Sequence, residues 1–522
     1  MSSEPSVNGI IRAVKTTIVF LPLLRDNRNW WIWGIELYKT LDIEPKTALR
    51  TAIKSLNRGS VIILAHNPYP FEDEHGRRVP GAGAQRLPAG GQHAAREARL
   101  KSLSSHQTNT TRYCKTVLAQ NAEGTLMLDT NQVMPKQLDR LIDLAVFILG
   151  LIFAIYLRVV FREFESVDFI LHTSRWYAAV LDQGLGATAS DVSNYTPAYL
   201  YLLNIVSILF PNLAPVIAIK IPSCVFDFLC AGLVFAITRL KYPSGRVSMF
   251  AFLAVLLAPT VVANSAIWGQ ADSIYTSMLL VCVYCLITHR PAVAMLAFGV
   301  ALSLKFQAMF LAPAIFVLWL RRHVPFWTLL LVPVVYTALM IPAWLEGRPF
   351  SELMLVYFGQ SQTYHKLTMN APNLYSWIPN RFYSPVVIAG LLLMTAIGSL
   401  FAWLVWRSRV RLDEALTLKL CTLSLIMTPF FLPKMHDRFF FPADVLTIAY
   451  GFFFPRQYYV PIVVGFAFLF AYSRFLLKLP FVPIQGLALV MLFALVAVAW
   501  ATVLDLKGNG DQANALRAGY SS

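Results

Sequence analysis

The chain has 522 residues, of which 57% are hydrophobic and 14% charged, and a formal net charge of +16. Soluble domains carry roughly 25% charged residues, so a water-soluble globular protein, a disordered chain and a disulfide scaffold are excluded as descriptions of the whole. The charge does not describe a nucleic-acid surface either: residues 1–138 hold 18 Lys and Arg against 11 Asp and Glu, and the remaining positive charge lies mostly between hydrophobic runs, where it orients a membrane protein.

Residues 1–138 are expected to stay in the cytoplasm as a poorly ordered or small helical extension with a linker; residues 1–135 show no recognisable chemistry, and a functional domain is the alternative. The apolar stretch Ile18–Leu24 is too short for a signal peptide, contains Pro22 and lacks a small-residue cleavage site. Residues Asn29–Ser60 have a helical mixture, and Gly76–Arg99, rich in Gly, Ala, Arg, Gln and Pro, reads as a linker.

A hydrocarbon core about 30 Å thick takes roughly 20 apolar residues per helix. Spans are expected at Arg140–Val160, Val216–Thr238, Val247–Val262, Ser273–Thr288, Pro291–Leu304, Phe306–Leu320, Pro325–Ala343, Pro385–Trp406, Glu414–Leu432, Phe439–Phe454, Tyr458–Lys478 and Phe481–Leu504. These make an all-α polytopic membrane protein of about twelve transmembrane helices over residues 139–505, followed by a cytoplasmic tail at 506–522. The basic clusters Arg239/Lys241/Arg246, Arg321/Arg322, Arg407/Arg409/Arg411 and Arg456 are assigned to the cytoplasm. Tyr195–Phe210, broken early by Pro211–Asn212, is read as an interfacial helix, with a span of its own as the alternative. The six cysteines are scattered and read as reduced and structural.

With that threading, the polar insertions fall on the non-cytoplasmic side. The first carries Glu163, Glu165, Asp168, Asp182 and Asp191 against Arg158, Arg162 and Arg175, and carboxylates so near lipid must be solvated or paired. Asp168, His172 and Arg175 stand at i, i+4 and i+7, the spacing of one helical face, where a carboxylate can take a proton from an acceptor hydroxyl; the plain alternative is a solvated amphipathic helix. Trp268-Gly269-Gln270-Ala271-Asp272 puts an aromatic and an acid at a span's outer end, a pattern that an interfacial anchor and a helix cap also produce. Lys305 interrupts a long apolar run with no acid nearby in sequence, which at about 2.5–3.5 kcal/mol for a central cation implies a helix break, an anionic partner or both. Lys434-Met435-His436-Asp437-Arg438 compresses four ionisable residues between apolar spans, and Arg438 has the fork geometry to grip a phosphate, with His436 as a further donor; a solvated Asp437–Arg438 pair is the alternative. The long loop Trp344–Ser384, with Asn370-Ala371-Pro372-Asn373-Leu374-Tyr375, is either a closing element or a plain connection.

In this order the motifs resemble those of the GT-C-type membrane glycosyltransferases. The nearest resemblance is to bacterial mannosyltransferases related to the GPI-anchor mannosyltransferases, and more distantly to the glucosyltransferases of the N-glycan precursor. It covers residues 139–505. Asp168 with the following His172-Thr173-Ser174-Arg175-Trp176-Tyr177 resembles the family's first-loop acid segment. Asn194-Tyr195-Thr196-Pro197 resembles a Tyr-Pro-Pro stretch with one proline missing, and Lys220-Ile221-Pro222-Ser223 a basic-x-Pro-Ser span opening. Asp272 resembles the second-loop acid, Lys305 the lysine of a broken helix, and His436-Asp437-Arg438 a His-acid-basic triplet.

The resemblance implies an inverting transfer of a mannose- or glucose-type hexose from a polyprenyl-phosphate donor to a glycan or lipid-linked acceptor, on the periplasmic or extracellular face of what is read as a bacterial inner membrane. Asp168 is then the general base. Arg438, Lys305 and His436 hold the donor phosphate, while Asp272, Asp191, Asp437, Gln270, His172 and Tyr195 bind sugar or orient the basic residues. No metal or other cofactor is implied, and no nucleic-acid partner. The rival reading is a transporter or flippase of a lipid-linked or anionic solute.

Overall fold

The computed structural model of the protein describes residues 136–362 and 364–519. The expected helical unit at Asn29–Ser60, the linker after it and Cys114 lie outside the described residues. Those that are described form an all-α polytopic membrane protein with two strands of two residues each.

In chain order the helices are α1, Lys136–Val160; α2, Ser174–Gln183; α3, Pro197–Leu209; α4, Pro215–Lys241; α5, Arg246–Leu257; α6, Pro259–Trp268; α7, Asp272–Ile287; α8, Pro291–Leu304; and α9, Phe306–Leu320. They continue as α10, Phe326–Leu345; α11, Phe350–Gln362; α12, Tyr383–Arg407; α13, Glu414–Phe431; α14, Phe441–Phe453; α15, Tyr459–Leu476; and α16, Ile484–Gly519. Each of the twelve expected spans contains helix, but Val247–Val262 is broken at Ala258, the helix expected over Phe481–Leu504 starts at Ile484, and the α-helix within Phe439–Phe454 has 13 residues. Among the described residues seven helices are long and apolar enough to cross a membrane alone, namely α1, α4, α10, α12, α13, α15 and α16, and α5 with α6, bent by 43°, passes as an eighth. Helices α7, α8 and α9 are apolar but shorter. Helix α3 has 13 residues, about 20 Å at 1.5 Å per residue, too little to cross a hydrocarbon core by itself.

Local chemistry sets these boundaries. Proline stands at the first or second position of α3, α4, α6, α8 and α14, where its missing N–H has no helical partner to lose. Asp413 caps α13 by accepting from the Leu416 N–H at 2.8 Å. Burial then sorts the helices: 83% of the apolar window of α13 is buried, against 11% in α1, so α13 is packed among other helices while α1 presents apolar side chains to lipid.

Ion pairs and side-chain-to-backbone bonds tie neighbouring helices at the ends assigned to the cytoplasm. Arg246 meets Asp143 at 2.9 Å, Lys419 meets Asp505 at 2.6 Å, and Arg321 donates to the Val405 and Val410 carbonyls. The loops bearing Asp168, Gln270, Lys305 and Arg438 come together elsewhere, at the other ends of their helices.

Candidate active site

Helix α1 ends at Val160, and Asp168 precedes a π-helical turn, Phe169–Thr173, which leads into α2. That wider turn breaks the 3.6-residue register. His172 and Arg175 are therefore exposed while Asp168 turns inward, and the single face expected from the i, i+4, i+7 spacing is not formed.

Asp168 is held from three sides. Its Oδ2 accepts from Trp268 Nε1 at 2.9 Å, from Gln270 Nε2 at 2.7 Å and from Arg438 Nη1 at 2.9 Å. Its Oδ1 accepts no hydrogen bond among the described residues. Ser166 joins the two strands of chain by donating to the Trp268 carbonyl at 2.8 Å, while the Phe169 N–H donates to its hydroxyl. Trp268 also lies under the Arg438 guanidinium, 5.6 Å from ring centre to Cζ. Gly269, between the two residues that hold Asp168, has φ +74°, the left-handed region that a side chain disfavours.

One layer further in, Lys305 and Asp272 form a buried ion pair. Lys305 has extended backbone between α8 and α9, so the lysine both breaks the helix and finds an anion, 33 residues away in sequence. Asp272 also accepts from Asn264 Nδ2 at 2.9 Å, and the same amide nitrogen donates to Tyr472. The ammonium lies near the faces of Tyr195 and Tyr275, at 5.2 and 5.6 Å.

The third side is the segment between α13 and α14. It is strapped by the long outer loop: Thr368–Met369 (β1) pairs in parallel with Met435–His436 (β2), the Lys434 N–H donates to the Leu367 carbonyl at 2.7 Å, and Tyr375 donates its hydroxyl to the Phe431 carbonyl at 2.6 Å. The loop thus fixes the segment that carries Arg438. The His436 ring packs near Tyr364 and Phe439; burial, with Arg438 and Lys305 close by, holds it well below the usual imidazole value, so it is a neutral group at pH 7. Burial raises the Asp437 carboxyl to about 7 despite the opposing Arg438 charge and the Arg438 N–H that it accepts. Arg438 Nε is buried without a hydrogen-bond partner among the described residues.

Asp168, Gln270, Asp272, Lys305, Tyr195, His436, Asp437 and Arg438 are thus brought together, and two of the expected residues are not. His172 is exposed. Asp191, with a side chain 82% exposed, pairs instead with Arg348 at 3.1 Å. Arg158, read from sequence as part of the outer loop, belongs to α1 and pairs with buried Asp227 at 2.7 Å. Sequence reasoning did not assign chemistry to Trp268 or Asn264; the signal for Trp268 was its place two residues before Gln270. Among the described residues no three His, Cys, Asp or Glu side chains gather to hold a metal ion, and the described cysteines are free thiols.

No family model matches the chain, and no curated protein matches it. Solved structures of ArnT from Cupriavidus metallidurans, one bound to undecaprenyl phosphate and one in the apo state, are similar at 15% and 14% identity. Each comparison covers 69% of this chain and 77% of the other, with a TM-score of 0.42. At that degree of likeness neither ligand nor activity transfers to this chain.

Proposed function

We propose that the protein is a GT-C-type inverting glycosyltransferase that moves a mannose- or glucose-type hexose from a polyprenyl-phosphate carrier to a glycan or lipid-linked acceptor. The reaction centre lies on the non-cytoplasmic face of a bacterial inner membrane. One observation supports the reading: a carboxylate with one oxygen fixed by three donors, and the other accepting no hydrogen bond among the described residues, stands beside a guanidinium that engages it through Nη1 alone.

Asp168 Oδ1 takes the proton of the acceptor hydroxyl as that oxygen attacks the anomeric carbon, and the bond from that carbon to the phosphate oxygen breaks on the opposite face. The polyprenyl phosphate leaves with the electron pair. Arg438 holds that phosphate through guanidinium N–H groups other than the buried Nε, while Lys305, expected from the sequence to hold it too, is committed to Asp272 with its ammonium 5.2 Å from the Tyr195 ring centre. Positioning and stabilisation of the leaving charge are the main tasks, since a phosphate monoester is already a fair leaving group.

The test uses the full chain in vesicles with a panel of undecaprenyl-phosphate hexoses. Formation of a new glycosidic bond together with released undecaprenyl phosphate supports the reading. Movement of the intact lipid between leaflets with no new bond favours a flippase instead.

A further inference from the structure

Lys220 is a buried lysine without a salt bridge among the described residues. It sits on the second turn of α4 with 5% of its surface exposed, and among the described residues it makes no ion pair within 4.0 Å. Its ammonium instead donates to three backbone carbonyls, those of Phe161 at 2.9 Å, Arg162 at 3.4 Å and Phe164 at 2.6 Å. These belong to the stretch that continues from the C-terminus of α1, where helical carbonyls run out of N–H partners and the backbone dipoles leave partial negative charge. Three N–H donors of one ammonium match three carbonyls, and the cation suits that end of the helix.

The same side chain touches the opposite wall of the Asp168 clamp. A Cβ added at Gly269 would lie 3.4 Å from Lys220 Cγ and 3.7 Å from Cε. Gly269 separates Trp268 from Gln270, the two residues whose N–H groups hold Asp168 Oδ2. The head of Lys220 therefore ties down the chain that runs into Asp168, and its stem lies against the turn that presents the two donors. Ser166, bonded to the Trp268 carbonyl at 2.8 Å, closes the loop between these walls.

We propose that Lys220 is a positioning residue for Asp168, fixing the 161–168 backbone against the 268–270 turn so that the carboxylate stays in its three-donor clamp. The assignment of a catalytic consequence rests on the reading of Asp168 as the base. A misplacement near 1 Å at a reacting group costs up to about 100-fold in rate, which sets the scale of the effect.

The experiment compares full-length wild-type, Lys220→Met, Lys220→Arg, Asp168→Asn and Asp168→Asn/Lys220→Met proteins in lipid. It measures transfer from undecaprenyl-phosphate mannose and glucose, and amide hydrogen exchange over residues 161–170 and 264–272. Lys220→Met is expected to lower kcat by about 10- to 100-fold with donor KM within about threefold, and to speed exchange in both segments but not in α13. Lys220→Arg restores most of the rate, and Lys220→Met costs nothing further in the Asp168→Asn background. Unchanged exchange in both segments, an unchanged kcat, or an equal extra loss in the Asp168→Asn background overturns the proposal. Normal transfer by Asp168→Asn, with the exchange result as expected, overturns instead the reading of Asp168 as base. Should Lys220→Met fail to fold, Lys220→Gln, which keeps part of the stem without the charge, takes its place with the same expected fall in kcat and faster exchange in both segments; wild-type kcat there overturns the proposal.

Discussion

Asp168 and Arg438 are 270 residues apart in sequence and 2.9 Å apart between Oδ2 and Nη1. The pair joins the loop after α1 to the segment before α14, and Trp268 binds both partners, by a hydrogen bond to one and by its ring face to the other. In the proposed transfer, a donor phosphate on Arg438 would lie next to Asp168 Oδ1, which accepts no hydrogen bond among the described residues.

Arg438 supplies a planar fork, one arm already committed to Asp168, and a point-charge ammonium cannot reproduce both contacts. Arg438→Lys and Arg438→Ala are each expected to weaken donor binding by about 10- to 100-fold, the scale of one charge-assisted hydrogen bond. Titration of detergent-solubilised protein with undecaprenyl-phosphate mannose checks this; unchanged affinity removes Arg438 from the phosphate site.

Breaking the buried Lys305–Asp272 pair from one side leaves an uncompensated charge. Lys305→Met or Asp272→Asn alone is expected to cost about 3–5 kcal/mol, and the double variant distinctly less than the sum of the two because the partners are in contact. Thermal unfolding in a fixed lipid mixture gives the coupling.

Asp437 gives a pH dependence of known sign. Its carboxyl is raised to about 7 in the folded protein by burial, so the folded state holds a proton that the unfolded chain releases near pH 4. Its contribution to stability is present below that unfolded value and is lost as pH rises toward 7. The Tm of wild type minus that of Asp437→Asn should therefore fall from pH 4.5 to pH 7.5; a flat or rising difference contradicts the assignment.

Asn373 is fully buried, accepts from the Tyr375 N–H and donates to the Leu432 carbonyl at 3.3 Å, which fastens the outer loop to the segment carrying His436 and Arg438. Asn373→Ala is expected to cost about 1–3 kcal/mol by leaving buried backbone groups unpaired. Amide exchange in residues 433–438 should rise with it, a local loosening that separates this role from a general loss of stability.

Much of this site was legible because charge is expensive in an apolar run. Lys305 and Arg438 stood out for that reason, Asp168 as one of the acids clustered in the first outer loop, and Gln270 as part of the Trp-Gly-Gln-x-Asp pattern that ends at Asp272. What the sequence hid was partnership and direction. The cost of burying Lys305 implied an anion, but only the fold brings Asp272 to it. The face shared by Asp168 and His172 assumed α-helical spacing, and a π-helical turn rotated His172 out to solvent. Lys220 looked like the opening of a span because nothing in its own segment reveals the carbonyls it reaches more than 50 residues earlier.

Single-turnover transfer by Asp168→Asn, in vesicles preloaded with labelled undecaprenyl-phosphate hexose, bears most directly on the proposed chemistry. Loss of general-base action is expected to slow transfer by about 10²- to 10⁴-fold, with donor affinity within a few-fold of wild type. Transfer at the wild-type rate with normal donor binding would contradict the account.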